Sequence, residues 1–324
     1  MKTPAFRLLN LCLTALLACA PAMAQTSYPS KPIKIVNNFP AGGPADVLAR
    51  LVGQVLAEKF KQPVIVENKP GAGGNIGADA VAKSPADGHT VLFGIDTTFT
   101  VNPHIYGKAM PFRTTDLKPL MIMASSGLMV AVNPASGIKN MKDFMVAGKG
   151  HGLNLSSGGS GTPGHLAAEV LGDAIAGMKI THVPYKGNTP AVTAVLAGEV
   201  DGGVLAIPGL LPHVKSGKIT GLAVTGTRRS GLAPELPTVT ELGLKELQQD
   251  VLYIAMVPAA TPDSIMQSLQ QAMAEALKRS EIQSRLAALD MAVEAQTGAG
   301  ASQRLAEISE RYAKLVRATG MKVE

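Results

Sequence analysis

Short apolar runs alternate with longer amphipathic stretches through the first third of the chain. Ile33–Val36 is rich in branched apolar residues, which is typical of a buried strand. Pro44–Phe60 follows, with apolar positions spaced three and four residues apart along one face, and this spacing predicts a helix. Strands at Pro63–Glu67 and Thr90–Ile95 and a short helix at Ile76–Lys83 continue the alternation. This order predicts a parallel sheet covered by helices.

A long apolar segment, Leu120–Val132, separates this part of the chain from a second one with a similar rhythm. It is much longer than an ordinary strand of about 5–6 residues, so we expect a strand that leaves one domain and continues into another. Leu252–Val257 is expected to run antiparallel to it and to return the chain to the first domain. The other predicted elements are Leu153–Ser156, Pro163–Ile175, Ile180–Val183, Pro190–Ala197, Val200–Ile207, Leu210–Lys215, Leu222–Thr225, Pro262–Lys278, Glu281–Leu289 and Ser302–Ala318.

The pattern therefore predicts an α/β fold of two domains, each a mainly parallel sheet flanked by helices. Residues 25–126 together with 228–324 are expected to form a discontinuous first domain, and residues 127–227 the second. A chain of 324 residues is long enough for two domains, and its 46% hydrophobic content is sufficient for a large core.

The first 24 residues have the pattern of a secretory signal peptide. Lys2 and Arg7 give a basic start, Leu8–Ala20 is apolar, and Ala22–Ala24 offers small residues for cleavage. A lipoprotein signal ending at Cys19 is the alternative. We favour a soluble periplasmic protein, because the small residues lie just downstream of that cysteine.

Removal of this segment changes the chemistry that the chain can perform. Both cysteines, Cys12 and Cys19, lie in it, so the mature chain would have no disulfide and no thiol chemistry. Lys2 and Arg7 are also lost, which lowers the formal net charge from +6 to +4. A small basic excess is compatible with an anionic ligand. The lack of a Lys/Arg cluster and an aromatic content of 4% argue against nucleic-acid binding.

Three predicted helices begin with a proline directly after a loop, at Gly43-Pro44, Thr162-Pro163 and Thr189-Pro190. Threonine before a helix and proline at its first position are ordinary features of helix starts. These loops follow strands in both halves of the chain, and open α/β sheets bind ligands outside the carboxyl ends of their strands. Helix N-termini present free N–H groups and a positive dipole. Together the three starts predict an anion pocket with uncharged hydrogen-bonding walls.

Two glycine-rich loops are expected to supply most of the donors of this pocket. The loop Phe39–Gly43 precedes the first helix, and Ser156–Thr162 combines hydroxyl side chains with glycines before a later one. Polar residues after other strands complete the candidate walls. The predicted ligand-binding residues are Phe39, Pro40, Ala41, Gly42, Gly43, Asp46, Thr97, Thr98, Ser157, Gly158, Ser160, Thr162, His165, Asn188 and Ala206.

Asp46 has two interpretations. A carboxylate in the first turn of a helix interacts favourably with the dipole and accepts hydrogen bonds from the helix start. If its side chain faced the pocket instead, it would repel a second carboxylate and attract an ammonium or hydroxyl group. The sequence leaves both open.

Three other chemistries have weaker support. A nucleophile elbow would centre on Ser160, but its last glycine is replaced by Thr162, and no acid can be placed to orient His165. The glycines of 71–77 have the wrong spacing for a dinucleotide fingerprint and favour a closely packed turn. The six histidines include no pair at helical ligand spacing. We therefore predict no catalytic residue, no metal and no cofactor.

Several of these segments resemble the substrate-binding proteins of tripartite tricarboxylate transporters, also called Bug receptors. The similarity covers nearly the whole mature chain in order. The segments that carry it are Tyr28–Val36, Phe39–Arg50, Pro63–Lys83, Ala86–Thr90, His182–Gly187 and Leu211–Lys218.

The resemblance implies a monomeric periplasmic Venus-flytrap protein of type II. It would close around a small carboxylate and deliver it to the large and small membrane subunits of a transporter. In the family, the loops that match Phe39–Gly43 and Ser156–Thr162 hold a ligand carboxylate. Ala45 stands where the family usually has threonine, and Ala206 lies where Asp or Asn is common nearby. Together with the Leu252–Ala255 stretch, which lacks the usual Trp or Phe, these departures favour a less polar distal pocket.

The function predicted from the sequence is therefore a carboxylate receptor for a membrane transporter. Two alternatives stay open at this point. One is an exported hydrolase that uses Ser157 or Ser160 with His165. The other is a sensor that presents its ligand to a membrane signalling protein.

Overall fold

The computed structural model describes residues 28–323, and the structural statements below concern that range. The predicted signal peptide and both cysteines lie outside the described residues.

Ten strands and eleven α-helices form within this range. The strands are β1 (Ile33–Asn37), β2 (Val64–Asn68), β3 (Thr90–Ile95), β4 (Leu117–Val132), β5 (Leu153–Ser157), β6 (Ile180–Pro184), β7 (Gly202–Ala206), β8 (Thr220–Val224), β9 (Asp250–Pro258) and β10 (Ala292–Thr297). The helices are α1 (Pro44–Phe60), α2 (Asn75–Ala82), α3 (Thr97–Thr100), α4 (Asn102–Tyr106), α5 (Met141–Gly150), α6 (Pro163–Ala174), α7 (Asn188–Ala197), α8 (Ile207–Lys215), α9 (Asp263–Lys278), α10 (Ser280–Ala287) and α11 (Gly298–Thr319).

The long strand β4 belongs to two sheets. Through Gly127 it pairs with β9, and from Leu128 onward it pairs with β7 and β8. We call lobe 1 the part built on β1, β2, β3, β9, β10 and the first part of β4, and lobe 2 the part built on β5 to β8 and the end of β4. The prediction that one long apolar strand crosses between two α/β units is confirmed, as is the antiparallel return of β9.

Both lobes contain parallel strands whose carboxyl ends carry the loops singled out in the sequence. In lobe 1, β1 pairs in parallel with β2 and β3. In lobe 2, β5 pairs in parallel with β6 and β7. The loop Phe39–Gly43 therefore follows the central parallel strand of one lobe, and Gly158–Thr162 follows that of the other.

Helix α1 shows how packing fixes the start of these helices. Leu48, Val52 and Leu56 are at most 1% exposed and lie against the sheet, and burying each side chain contributes roughly 1.5–3 kcal/mol. Gly53 lets the helix approach closely, since a Cβ there would lie 3.3 Å from the Ile35 Cδ1 atom. The N-terminus of α1 is thereby held at the carboxyl end of β1.

The packing of residues 228–249 leads us to propose a different position for one domain boundary. Residues 228–249, assigned from the sequence to the first domain, pack on lobe 2. Val224 forms a parallel bridge with Thr238, and Leu236 belongs to the same apolar cluster as Leu210. Residues 228–249 lie on lobe 2 because their apolar side chains pack against it. We therefore propose that the second domain boundary lies near Gln249 instead of at 227/228. The first proposed boundary, at 126/127, lies beside the point where β4 changes its partner from β9 to β7.

Candidate ligand-binding site

An apolar cleft lies between the two lobes. Lobe 1 contributes Phe39, Pro40, Gly43, Pro44, Ala45, Ile95, Val251 and Tyr253. Lobe 2 contributes Leu128, Gly158, Thr162, Pro163, Gly164, Asn188, Val204, Leu205 and Ala206.

Four helices begin at this cleft. The lining includes the first residues of α1, α6 and α7 and the residue directly before α8. None of the four starts has a side-chain cap within the described residues. An uncapped start leaves its first backbone N–H groups available, and the helix dipole places partial positive charge beside them. One helix start of this kind is ordinary, whereas four that converge from both lobes are an arrangement suited to an anion.

At Thr162 the missing cap has a local explanation, because its hydroxyl group has another partner. Threonine before a helix normally accepts a hydrogen bond from the first turn. Here its hydroxyl donates to the carbonyl of Gly159 at 2.7 Å instead. The first intrahelical bond of α6 runs from the Leu166 N–H to the carbonyl of Thr162. The N–H of Gly164, which lines the cleft, precedes that bond and is free to meet a ligand.

The Phe39–Gly43 loop is held from behind by amide side chains. Asn37 and Asn68 both donate to the carbonyl of Phe39, at 2.9 and 3.1 Å. Gly42 has a φ of +76°, which favours glycine. The loop therefore keeps its shape through groups that do not enter the cleft.

Asp46 is the anchor of this loop. Its carboxylate accepts hydrogen bonds from the Gly42 N–H at 2.9 Å, from Arg50 Nε and Nη2 at 3.0 Å each, and from Asn68 Nδ2 at 2.8 Å. Burial raises the pKa of Asp46, but the bonds from Arg50, Gly42 and Asn68 outweigh it and hold the pKa below its ordinary value. Its acceptor sites are thus used by the protein. This geometry fits the interpretation in which Asp46 supports the helix start, and not the one in which its carboxylate faces the ligand.

The second loop rests on a buried network of hydroxyl and imidazole groups. Ser157 Oγ lies 2.6 Å from His182 Nε2 and accepts from the Gly159 N–H at 3.1 Å. The rings of His182 and His165 stack at 3.9 Å. His165 Nδ1 accepts from the Gly161 N–H at 3.2 Å. Burial, with a smaller contribution from His165, lowers the pKa of His182 to about 3, so the His182 ring is uncharged at neutral pH.

This network does not have the geometry of a hydrolase. Ser157 is fully buried and pairs with His182, not with His165. Ser160 lines a neighbouring groove rather than the cleft. A nucleophile must be reachable by its substrate, so neither serine is placed for attack with His165.

Asn188 and Ala206 lie together on the lobe 2 side. The side-chain oxygen of Asn188 accepts from the Ala206 N–H at 3.0 Å. This bond joins the start of α7 to the residue before α8. It therefore sets the relative position of two of the four helix starts.

Seven of the fifteen predicted site residues line the cleft, and eight lie behind or beside it. Those in the lining are Phe39, Pro40, Gly43, Gly158, Thr162, Asn188 and Ala206. Ala41 and Gly42 form the outer part of their loop. The hydrogen bond from the Gly42 N–H to Asp46 and the positive φ of Gly42 fix the backbone there. Thr98 is buried and donates to the carbonyl of Gly73 at 3.0 Å, so it holds the glycine-rich turn. Those outside the lining are Ala41, Gly42, Asp46, Thr97, Thr98, Ser157, Ser160 and His165.

Most of the floor of the cleft was missed in the sequence, where only the Leu252–Ala255 stretch, which contains Tyr253, was expected near the ligand. The floor consists of apolar strand residues, including Ile95, Leu128, Val204, Val251 and Tyr253. A strand residue that faces a cleft has the same hydrophobic character as one that faces the core. Hydrophobic periodicity therefore gave no signal for them.

A second groove lies beside the cleft and shares Phe39, Pro40 and Gly158 with it. It also includes Lys186 and the turn 71–73. That turn is closely packed, because a Cβ at Gly73 would lie 2.7 Å from the carbonyl oxygen of Ser160. The spacing of its glycines predicted close packing of this segment in preference to dinucleotide binding.

Two further observations concern residues 28–323 as a whole. They contain no group of three or more acidic or histidine side chains arranged to hold a metal ion. None of their helices combines the length and apolar character that a bilayer span requires.

Known proteins resemble this chain in sequence and in architecture. BugT of Bordetella pertussis is 32% identical over 308 residues, which is 94% of each chain. The structure of the periplasmic binding protein BugD superposes with a TM-score of 0.86 at 26% identity, over 92% of this chain and 100% of that one. MatC from Rhodopseudomonas palustris, with bound malate, gives 0.84 at 27% identity, over 89% and 100%.

These matches confirm the predicted type II, two-domain α/β fold and the resemblance to Bug receptors. The proteins matched are binding proteins and not enzymes, so the hydrolase alternative is excluded. Residues 48–321 match the profile of the tripartite tricarboxylate transporter family receptors. The chain therefore belongs to that family of periplasmic solute-binding receptors.

Proposed function

We propose that this protein captures a small carboxylate in the cleft between its lobes and delivers it to the membrane subunits of a tripartite tricarboxylate transporter. The observation that carries this proposal is the convergence of four uncapped helix starts from both lobes. A carboxylate has two oxygens that can accept from donors on opposite sides, so it would join the lobes.

The site supports an anion more strongly than a cation. Its free polar groups are mainly backbone N–H donors, which repel an ammonium group and stabilise a carboxylate. MatC, a relative of the same architecture, holds malate. We extend to this chain the capture of a carboxylate group, together with export to the periplasm after cleavage at Ala24.

Ligand capture would act on the equilibrium between open and closed lobes. In the structure the lobes already touch beside the cleft. A Cβ at Gly187 of lobe 2 would lie 2.5 Å from the Pro40 ring of lobe 1. A carboxylate that binds donors from both lobes would favour this closed arrangement.

Thermal unfolding of the mature protein in the presence of mono-, di- and tricarboxylates tests the proposal. A ligand at 100 times its dissociation constant stabilises the folded state by about 2.7 kcal/mol, which is readily seen as a rise in Tm. Matched amines and uncharged amides serve as controls. Stabilisation by amines alone, or by no carboxylate, would contradict carboxylate capture. N-terminal sequencing of the exported protein would test cleavage, with Gln25 expected first.

A further inference from the structure

The floor of the cleft contains no charged side chain among the described residues. Its apolar members are nearly inaccessible to solvent: Ile95 is 8% exposed, Leu128 2% and Val251 3%. A ligand that enters with one carboxylate at the helix starts must therefore place its remaining atoms against hydrocarbon.

Each polar side chain that lines the cleft already makes a hydrogen bond within the protein. The hydroxyl of Thr162 donates to the Gly159 carbonyl, and the side-chain oxygen of Asn188 accepts from the Ala206 N–H. Tyr253 Oη lies 3.0 Å from Ser126 Oγ, and the ring is only 2% exposed. No arginine, lysine or histidine side chain is thus present in the lining to pair with a second carboxylate.

An acidic group lies directly beneath this floor. Asp96 follows the lining residue Ile95 and is completely buried. It accepts from the Leu252 N–H at 3.0 Å, between the lining residues Val251 and Tyr253. Burial raises the pKa of Asp96 to about 7, against the lowering effect of that N–H. Whenever Asp96 is ionised, its charge opposes a second carboxylate on the floor.

We infer that this receptor selects a carboxylate with an apolar body, and that it discriminates against a ligand with a second carboxylate at the distal end. The inference rests on the proposed function, since the first carboxylate is assigned to the helix starts. A second carboxylate on the floor would lose its hydration without gaining a partner. A methyl or ring edge at the same position would gain from burial against Leu128, Val204 and Val251.

Isothermal titration calorimetry with matched ligands tests the selection directly. Pentanoate and glutarate share a five-carbon chain and differ only in a methyl or a carboxylate at the distal end, and hexanoate and adipate form a second pair. We expect each monocarboxylate to bind at least ten-fold more tightly than its partner. Equal or tighter binding of glutarate and adipate would overturn the inference and leave carboxylate capture standing. Binding of neither class would overturn both.

An Ala206→Lys variant tests the location of the selective surface. The new ammonium group, next to the floor, is expected to reverse the preference, with glutarate gaining at least ten-fold over pentanoate. Ala260→Lys adds the same charge in the exposed turn after β9, away from the cleft, and is expected to change neither affinity. An Ala206→Lys protein that folds but still prefers pentanoate would contradict the assignment.

The neighbouring groove supplies a second, independent test. Lys186 is exposed there and is a cation that a longer diacid would have to reach. The wild-type ligand ratios are expected to persist in Lys186→Gln. Tight binding of adipate that disappears in this variant would place a second carboxylate in the groove and would overturn the inference.

Discussion

At the scale of single residues, most polar side chains near the cleft shape its loops instead of facing the ligand. Asp46 holds the Gly42 backbone, Thr98 holds the glycine-rich turn, and Ser157 holds Gly159. Their importance for binding is therefore indirect. Substitutions at these positions should first change the stability of a loop and only then its affinity for a ligand.

Asp46→Asn is expected to lower the free energy of unfolding at pH 7 by about 1–3 kcal/mol, because the charge-assisted bonds to Arg50 and Gly42 are weakened. The pKa of Asp46 in the folded protein lies below its ordinary value of 3.8. Its stabilising effect is therefore fully present above that value and is lost as the pH falls through the folded pKa. Urea unfolding at pH 7 and near pH 3 should show the difference between variant and wild type shrinking in acid. Asp263→Asn is the control, because that side chain is 89% exposed. Equal stability of the two variants would contradict the anchoring role.

Gly164→Ala is expected to destabilise the protein by about 1–3 kcal/mol through overpacking. A Cβ at this position would lie 2.2 Å from the carbonyl oxygen of Val204. This clash should outweigh the better helix propensity of alanine, worth up to about 1 kcal/mol.

Gly172→Ala in the same helix is the matched control for this variant. A Cβ there meets no atom within 4 Å, so stabilisation by about 0.5–1 kcal/mol is expected. Denaturant unfolding measures both changes. Opposite signs support the tight approach of α6 to β7, whereas stabilisation by both would contradict it.

At the scale of secondary structure elements, the starts of α1 and α6 were predicted correctly and those of α7 and α8 were not. Helix α7 begins at Asn188, so that Thr189-Pro190 lies within its first turn, and α8 begins at Ile207 instead of Leu210. The bounds of α1 match the predicted Pro44–Phe60, because proline and a clear apolar face mark them.

Helix α5 was missed, since its two glycines obscure the periodicity, and β10 was missed because it is partly exposed and polar. The pairing of Ser157 with His182 joins residues 25 positions apart, and no local pattern reports such a contact.

The open start of α1 leads to a prediction in which stability and affinity change in opposite directions. Gly43 has the extended backbone of an N-cap residue, and a Cβ there would have 3.4 Å to its nearest neighbour, the Pro40 carbonyl oxygen. Gly43→Ser should cap the helix and stabilise the ligand-free protein by about 0.3 kcal/mol. The serine oxygen then occupies donors that the ligand needs, so carboxylate affinity should fall about ten-fold.

Gly43→Ala separates capping from steric effects, since it adds the same carbon without the oxygen. Thermal unfolding and calorimetry on the three proteins provide the comparison. An alanine variant that loses as much affinity as the serine variant would show that space, and not capping, is responsible.

At the scale of the whole molecule, the two lobes are joined where β4 and the chain before β9 pass each other. Thr225 connects these segments. Its hydroxyl accepts from the Leu128 N–H at 2.9 Å and donates to the Gln249 carbonyl at 2.7 Å, and the residue is completely buried. Leu128 and Gln249 lie at the lobe 2 ends of the two crossing segments. We therefore expect Thr225 to fix the spacing of these segments beside the junction about which the lobes open and close.

Thr225→Val removes the hydroxyl and keeps the shape of the side chain. The buried Leu128 N–H and Gln249 carbonyl then lose a partner, at a cost of about 1–3 kcal/mol each. Thr225→Ser keeps both bonds and loses one methyl group, which costs about 0.8 kcal/mol. We expect the valine variant to be clearly less stable in urea and to have a larger radius of gyration without ligand, as measured by small-angle X-ray scattering. A saturating carboxylate should restore the compact form, because its bonds to both lobes favour the closed arrangement. A valine variant that matches the serine variant in stability and size would contradict this role of Thr225.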